Sequence, residues 1–301
     1  MNKMRFIPLI LFLVAIGASG EACNVNDIEN TYTYHLGGKS GGRIPYEKQL
    51  SSLLLDQSSD KFGNVKLSIS KRVISPERAR LELNKGVQFH FLTGGIIERE
   101  VDEKNSFILE KPILQNFLGY RQLIVRKERL AEFEAISSWD ELLKLTAGQA
   151  AQWPDVKILE EAGVKVVGGG SYQSLFPMLL HKRFDYLSLG AGEIFGSLEK
   201  QEQLKEHFAV VENIVIYYPW PIYYFVSRTC PNLYDRLKYS MEKTKKNGRF
   251  ETLFESHYGD EIRRLNKPST KVFVIDNPNT RYAPQYGAPT LLDAATIIPR
   301  N

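Results

Sequence analysis

An alternation of strand and helix patterns over the first third of this sequence limits its possible folds more than any other feature. Residues 31–35 alternate as a strand does, residues 46–55 carry apolar side chains at helical spacing, and residues 65–69 are typical of a second strand. Ser75 and Pro76 begin a helix that residues 84–86 end, and a strand at 87–92 continues the series. This order predicts a mostly parallel sheet with right-handed crossovers, which binds ligands at the carboxyl ends of its strands.

A second, smaller α/β unit follows a strand pattern at 120–126. Its sequence predicts, in order, a helix at 139–145, a loop at 148–153, a helix at 155–162, a strand at 164–167, a helix at 171–183 and a strand at 186–189. The 301 residues give enough length for two lobes, each with its own core. We therefore expect an α/β chain with two lobes.

The last third of the sequence predicts a return to the first lobe. Extended segments at 210–216 and 223–226 are rich in β-branched and aromatic residues and are separated by two prolines, which suits a crossing between lobes. Amphipathic helices at 232–247 and 250–258 follow. The Pro- and Asn-rich residues 277–289 predict a surface tail.

Charge and motif content exclude several classes of function. The sequence has 39 basic and 35 acidic residues, a formal charge of +4, and this balance does not favour a nucleic-acid partner. Its two cysteines and five histidines show no zinc-ligand spacing. Gln173 stands where the last glycine of GxGxxG would be needed after residues 168–170, so no dinucleotide is implied. We expect neither a metal nor a cofactor.

The N-terminus has the order of a secretory signal. Lys3 and Arg5 precede an apolar stretch at 6–17, and small residues then suit a cut before Cys23. The sequence therefore predicts a signal peptide at 1–22. Cys23 is alternatively the lipid-bearing residue of a bacterial lipoprotein, a reading that the charged Glu21 disfavours.

Polar residues at strand ends and helix starts are the candidate ligand contacts. The loop that includes Gln149 and Trp153, and the helix start at Ser171 and Tyr172, offer free amides that can hold an anionic or carbonyl oxygen. Ordinary helix capping explains the same residues equally well. Arg99 can clamp a carboxylate through two hydrogen bonds, or it belongs to a solvated charge network with the acidic residues around it.

Several segments resemble one family of proteins. The diagnostic ones are residues 225–233, the helix pair that follows with Leu237, Met241, Asn247, Gly248, Phe254 and Tyr258, and the second-lobe segment 163–193. Together they are similar to the type II periplasmic solute-binding proteins, in their family 3 (amino-acid-type) branch. The resemblance spans about residues 31–260. Gln149, Ala150 and Ala151 replace that branch's Gly-Thr-Thr-like turn, so the chain resembles a divergent subgroup and no amino acid is implied as its ligand.

The resemblance implies a fold, a site and a compartment. It implies a signal peptide at 1–22, lobe I from 23–123 and 221–301 with the tail, and lobe II from 124–220, joined by two crossover strands that act as a hinge. The lobes would close over a small polar or anionic solute as a monomer in the periplasm, for delivery to the permease of an ABC-type transporter. The expected ligand contacts are Tyr34, Thr93 and Arg99 from the first lobe, and Gln149, Trp153, Ser171 and Tyr172 from the second.

The resemblance also leaves alternatives open. The liganded protein could dock on a membrane signalling receptor instead of a permease. A dehydratase on the same fold would need a general acid, for which Glu193 is the candidate. The implied topology brings the end of the return strand at Cys230 beside the start of the first strand, so we expect a disulfide between Cys23 and Cys230.

Overall fold

The computed structural model describes residues 23, 30–37, 42–96, 104–277 and 287–298. The expected signal peptide at 1–22 therefore lies outside the described residues. The described residues form two β-sheets flanked by helices. No helix in these ranges is long and apolar enough to span a bilayer.

Twelve strands among the described residues make up the two sheets. They are β1 (Thr31–His35), β2 (Lys66–Ser70), β3 (Phe91–Gly94), β4 (Ser106–Leu109), β5 (Tyr120–Arg126), β6 (Thr146–Ala150), β7 (Lys165–Gly169), β8 (Tyr186–Gly190), β9 (Phe208–Tyr217), β10 (Tyr223–Ser227), β11 (Lys271–Val274) and β12 (Thr296–Ile298).

Ten α-helices pack around these sheets. They are α1 (Arg43–Gln57), α2 (Ser59–Phe62), α3 (Pro76–Lys85), α4 (Leu130–Ala135), α5 (Trp139–Leu143), α6 (Asp155–Glu161), α7 (Tyr172–Leu180), α8 (Ile194–Glu199), α9 (Pro231–Lys246) and α10 (Arg249–Leu265), all within the described ranges.

The first sheet has the strand order β2-β1-β3-β10-β4. β1 is parallel to β2 and β3, as the βαβαβ pattern predicts, and the returning strand β10 is antiparallel to β3 and β4. Local rules explain its helices well. Ser75 caps α3 by accepting from the Arg78 amide at 3.3 Å, and Gly86 ends that helix with φ +63°, a conformation that favours glycine.

The second sheet has the order β12-β11-β9-β5-β8-β6-β7. β6, β7 and β8 are parallel, and β5 lies antiparallel between β8 and β9. The two strands that cross between lobes, β5 and β9, are therefore neighbours in this sheet. The mixed α/β architecture with two lobes confirms the predicted fold class.

The prediction of a loop at 148–153 is wrong for the first half of that segment, because β6 continues to Ala150 as an inner strand. Its small residues allow close packing: a Cβ on Gly148 would lie 2.2 Å from Cζ of Phe184. The sequence of this segment resembles a polar loop, but its small residues leave room for the aromatic ring of Phe184.

The last described residues also depart from the sequence expectation. The resemblance places residues 271–274 and 296–298 in lobe I and its tail. In the structure, β11 and β12 instead extend the second sheet beside β9. Since α10 packs against α1 and α9 of the first lobe, the chain crosses a third time between 265 and 271. The finer lobe boundaries at 123/124 and 220/221 stay predictions.

One apolar core runs through the hinge. Tyr120, Tyr217, Tyr218 and Phe117 are buried at the crossings and join side chains of both sheets into a single cluster. Smaller clusters lie in the second lobe around Phe176 and under α3, around the buried residues of that helix. The lobes are thus continuous at the hinge.

A disulfide joins Cys23 to Cys230, at the start of α9, with a Cα–Cα distance of 5.1 Å. The two residues are 207 positions apart, so the bond closes most of the chain into one loop. A loop of this size stabilises a folded state mainly by restricting the unfolded chain.

We expect reduction of this bond to destabilise the protein by about 2–5 kcal/mol and to lower its thermal midpoint by roughly 5–15 °C. Thermal unfolding followed by circular dichroism, with and without a thiol reductant, measures the change. Two reactive thiols in the native, unreduced protein would exclude the bond.

His90 should give the protein a pH-dependent stability. Its Nδ1 accepts from the Thr33 amide at 2.8 Å, and burial lowers its pKa below the usual 6.5. Because the unfolded chain takes up the proton first, stability is full above about pH 6.5 and falls as the pH drops below that value.

Denaturant unfolding between pH 7.5 and 5 checks this, with His90→Gln reducing the loss and the exposed His207→Gln leaving it unchanged. His257, whose pKa burial also lowers, accounts for part of what remains. Equal losses in wild type and His90→Gln would contradict the assignment.

Candidate functional site

The segments that follow β1 and β8, at the carboxyl ends of these strands, meet across a narrow seam. Gly42 of the first lobe and Gly192 of the second make the closest approach, since a Cβ on Gly42 would lie 2.9 Å from the Gly192 carbonyl oxygen. A Cβ on Gly192 would lie 2.8 Å from Cε1 of Phe117 and 3.2 Å from Cε1 of Tyr258. The structure is therefore a closed arrangement of the lobes.

A cavity of about 20 Å³ remains in this seam, enough for about one water molecule. It is lined by Arg43, Leu114, Phe117, Leu118, Gly190, Gly192, Glu193 and Tyr258. Its walls thus combine apolar hinge residues with one charged side chain from each lobe.

On the first lobe, a buried network holds Arg43 at the cavity. Its Nε and Nη2 donate to Glu47 Oε1 at 2.9 and 2.5 Å, one turn along α1. The other carboxylate oxygen of Glu47 accepts from the Tyr34 hydroxyl and, at 2.6 Å, from the Thr93 hydroxyl. The hydroxyl oxygens of Tyr34 and Thr93 lie 2.8 Å from each other. The carboxylate is fully buried, so all of its solvation comes from such partners.

Electrostatics keep this network charged. Burial raises the pKa of Tyr34 well above its usual 10, and the neighbouring Glu47 raises it further, so the phenol stays protonated and donates. Burial alone would lower the pKa of Arg43, but the Glu47 carboxylate outweighs that effect and the pKa is raised. Arg43 therefore stays charged at any physiological pH.

On the second lobe, Arg121 at the start of β5 pairs with Asp155 at the start of α6, with 2.9 Å between Nη2 and Oδ1. Tyr218 donates its hydroxyl to the same Asp155 oxygen, and the guanidinium carbon lies 5.2 Å from its ring centroid. Burial opposes the charge on Arg121, yet Asp155 and the nearby Glu193 raise its pKa overall. Within the described ranges, the Nε of Arg121 is buried without a hydrogen-bond partner.

Glu193 is the carboxylate that this arrangement leaves incompletely satisfied. It follows β8 directly, its side chain is 18% exposed, and its Oε1 lies 4.0 Å from Arg121 Nη1. Its Oε2 is buried with no hydrogen-bond partner among the described residues. With Arg43, Glu47, Arg121 and Asp155 it gives two guanidinium groups and three carboxylates, so these five side chains are negative by one charge.

The ligand contacts expected from sequence fall into separate places. Tyr34 and Thr93 are buried behind Arg43, with their hydroxyl groups bonded to Glu47. Gln149 lies inside β6, where its Nε2 donates to the Ser188 carbonyl at 3.0 Å. Arg99 lies outside the described residues.

The remaining three candidates stand at the same edge of the second sheet as Glu193. Trp153 and Tyr172 are half-buried, with ring centroids 6.0 Å apart. Ser171 caps α7, accepting from the Ser174 amide at 3.3 Å. None of the three lines the cavity, and a role in ligand binding stays a prediction for each.

Sequence reasoning missed Arg43, Glu47, Tyr218 and Tyr258 as site residues. An arginine and a glutamate four positions apart, directly after a strand and a glycine-rich stretch, are a visible signal for Arg43 and Glu47. Tyr218 and Tyr258 offer no such signal, because only the tertiary fold brings them to the seam.

One cluster in the described ranges has potential metal ligands within 4.8 Å of one another, formed by Cys23, His90 and Cys230. Both sulfur atoms are bonded to each other. The Nδ1 lone pair of His90 accepts from Thr33, which leaves Nε2 carrying the proton. These three side chains therefore do not suit a metal ion.

Solved structures share this architecture. The chain is similar to an ancestral arginine-binding protein bound to arginine, with 16% identity and a TM-score of 0.52 over 77% of this chain and 100% of that one. It is also similar to a mutant of ArgBP from T. maritima, with 15% identity and a TM-score of 0.51 over 76% and 96%.

A third similar structure is an ancestral amino-acid-binding protein described as a precursor of cyclohexadienyl dehydratase, with 13% identity, a TM-score of 0.52 and coverage of 76% and 96%. The chain has the two-lobed fold of periplasmic solute-binding proteins. The resemblance seen in the sequence is thereby confirmed for the fold. No family model matches the sequence, and no curated protein matches it.

The Gly42–Gly192 approach yields a prediction about closure. Gly42 has φ −69°, which alanine adopts freely, so Gly42→Ala acts only as a steric wedge between the lobes. Overpacking of this kind costs about 1–3 kcal/mol, so we expect the open population to increase.

Small-angle X-ray scattering should give a larger radius of gyration for this variant. Gly196→Ala is the matched control, since nothing lies within 4 Å of a Cβ at that position. An unchanged radius for Gly42→Ala would show that the lobes do not close by this contact.

Proposed function

We propose that this chain is a periplasmic solute-binding protein whose lobes close over a small polar solute that carries an ammonium or guanidinium group. The supporting observation is Glu193, a carboxylate at the seam with one buried oxygen that has no hydrogen-bond partner among the residues that the structure describes. Such an oxygen retains the full cost of desolvation until a donor reaches it. A cationic group supplies the strongest hydrogen bond available to it.

The same seam supports recognition of an anionic group on that solute. Arg121 has a buried Nε–H that no described residue accepts, although its Nη2 is paired with Asp155. A zwitterion placed with its cation at Glu193 and its oxygens toward Arg121 would satisfy both groups. This narrows the polar or anionic solute expected from the sequence to one that also carries a positive charge.

Binding requires the lobes to separate. A cavity of about 20 Å³ is far below the 300–1,000 Å³ typical of ligand pockets. We therefore propose that the solute enters an open form and that closure brings Glu193 and Arg43 together around it. Arg43 and Glu47 lie on one helix, α1, whereas Arg121 lies on β5 of the second sheet and Asp155 lies on α6, between β6 and β7 of the same sheet. Opening therefore breaks neither pair.

The similar structures support this class of function without fixing the ligand. Two of them are described as arginine-binding and a third as amino-acid-binding. For this chain we propose export through the signal peptide at 1–22 and delivery of the solute to the permease of an ABC-type transporter. Docking on a signalling receptor is the alternative use of the same closure.

We expect isothermal titration calorimetry of the mature chain to detect a basic or zwitterionic solute in a panel of basic amino acids, neutral amino acids, polyamines and dicarboxylates. Glu193→Gln should weaken that binding about 10- to 100-fold, because it removes a charge-assisted hydrogen bond. Glu199→Gln, on the same helix and paired with Lys205, should leave it unchanged. Binding of dicarboxylates alone, or equal affinity in Glu193→Gln, would contradict the proposal.

A dehydratase is the second candidate, supported by the similarity to a dehydratase precursor. Glu193 would then donate a proton to the leaving hydroxyl of a cyclic carboxylate, so that the C–O bond breaks and water leaves while the C–CO2 bond breaks and its electron pair forms the new double bond of the ring. Incubation of the mature chain with prephenate-like substrates separates the two functions, because a binding protein returns the substrate unchanged.

A further inference from the structure

The C-terminal segment lies across the hinge. We define it as the described residues 275–277 and 287–294. Its Ile275 amide donates to the Tyr217 carbonyl at 2.9 Å, and the buried Asn277 Nδ2 donates to the Pro219 carbonyl at 2.9 Å. In the second part of the segment, the Ala288 carbonyl accepts from the Tyr217 hydroxyl at 2.9 Å.

The other crossing is held by the same segment. The Leu291 amide donates to the Tyr120 hydroxyl at 2.9 Å, and the rings of Tyr120 and Tyr217 lie 4.7 Å apart. Asn116, in the left-handed region with φ +64°, donates to the Tyr217 hydroxyl at 2.5 Å and accepts from the Trp220 amide at 2.6 Å. The hydroxyl of Tyr217 thus connects both crossings to the C-terminal segment.

The segment ends back on the first lobe. Asn266, which follows α10, donates to Asp293 Oδ1 at 2.6 Å and accepts from the Ala294 amide at 2.7 Å. α10 packs on α1 and α9 of the first lobe, whereas β11 and β12 on either side of the segment belong to the second sheet. Any rotation of one lobe against the other therefore acts on this segment.

We propose that residues 275–277 and 287–294 form a hinge strap that stabilises the closed arrangement and limits how far the lobes open. Opening rotates the first lobe against the ends of β5 and β9, where the two crossings leave the second sheet, and the strap bonds to the tyrosine at each of these ends. It also returns to the first lobe at Asn266, so a strained hinge must break contacts at both of its ends. This inference concerns regulation of the proposed binding cleft and rests on the proposed opening, although its test needs no ligand.

The contact at Asn266 allows a charge-swap experiment. Asn266→Asp places two carboxylates face to face and should detach the strap from α10. Asn266→Asp combined with Asp293→Asn restores a donor and an acceptor and should reattach it. Asn247→Asp, the same change at the C-terminus of α9, is the matched control.

Native-state hydrogen exchange reads the hinge directly. We expect the amides of Leu291 and of Tyr218, which donates to the Gly119 carbonyl at 3.1 Å, to exchange about five- to tenfold faster in Asn266→Asp. The double variant should return both amides to the wild-type rate. Unchanged rates at both amides, or acceleration at every amide alike in Asn266→Asp and Asn247→Asp, would overturn the proposal.

A second variant covers the case in which Asn266→Asp does not fold. Tyr120→Phe keeps the buried ring and removes only the acceptor of the Leu291 amide, and it should accelerate the same two amides. Failure to accelerate them contradicts the strap. If the exchange results hold while no solute binds, the strap stands and the proposed function fails, so the two failures are distinguishable.

Discussion

Glu47 is a carboxylate with no access to water, and the first lobe is organised around it. A buried carboxylate is tolerated only when its oxygens are hydrogen-bonded and its charge is paired. Arg43 supplies the charge, and the strand ends supply Tyr34 and Thr93 as donors. Because the buried Glu47 carboxylate must be paired, it holds Arg43 in the position from which that side chain reaches the cavity.

The second lobe uses the same chemistry but leaves it unfinished. Asp155 has Arg121 and Tyr218 as partners, whereas Glu193 has one buried oxygen with no hydrogen-bond partner in the described part of the chain. In a fully structural site such a group would be satisfied or replaced, because an unsatisfied buried carboxylate oxygen is costly. A cleft that completes its hydrogen bonds only with a solute fits this asymmetry between the lobes. Around the hinge, by contrast, an apolar aromatic core runs without interruption.

Local rules predicted most of the fold. The limits of β5, the Ser75 cap and the glycine end of α3 follow from side-chain patterning and turn chemistry, which depend only on neighbours in sequence. Strand β6 was not predicted because its small residues pack against the ring of Phe184, which lies far along the chain. The candidate site was harder for the same reason: Tyr34 and Thr93 were recognised, but their role in holding Glu47 depends on contacts between β1, β3 and α1.

The proposed function requires lobes that separate and close around a cation-bearing solute. Single-molecule energy transfer tests this most directly, with dyes attached through unnatural amino acids at the exposed Lys61 and Lys182 so that the disulfide stays intact. We expect two interlobe distances in the free protein and a single one when a binding zwitterion or basic amino acid is added. One distance that no solute in the panel alters would contradict it.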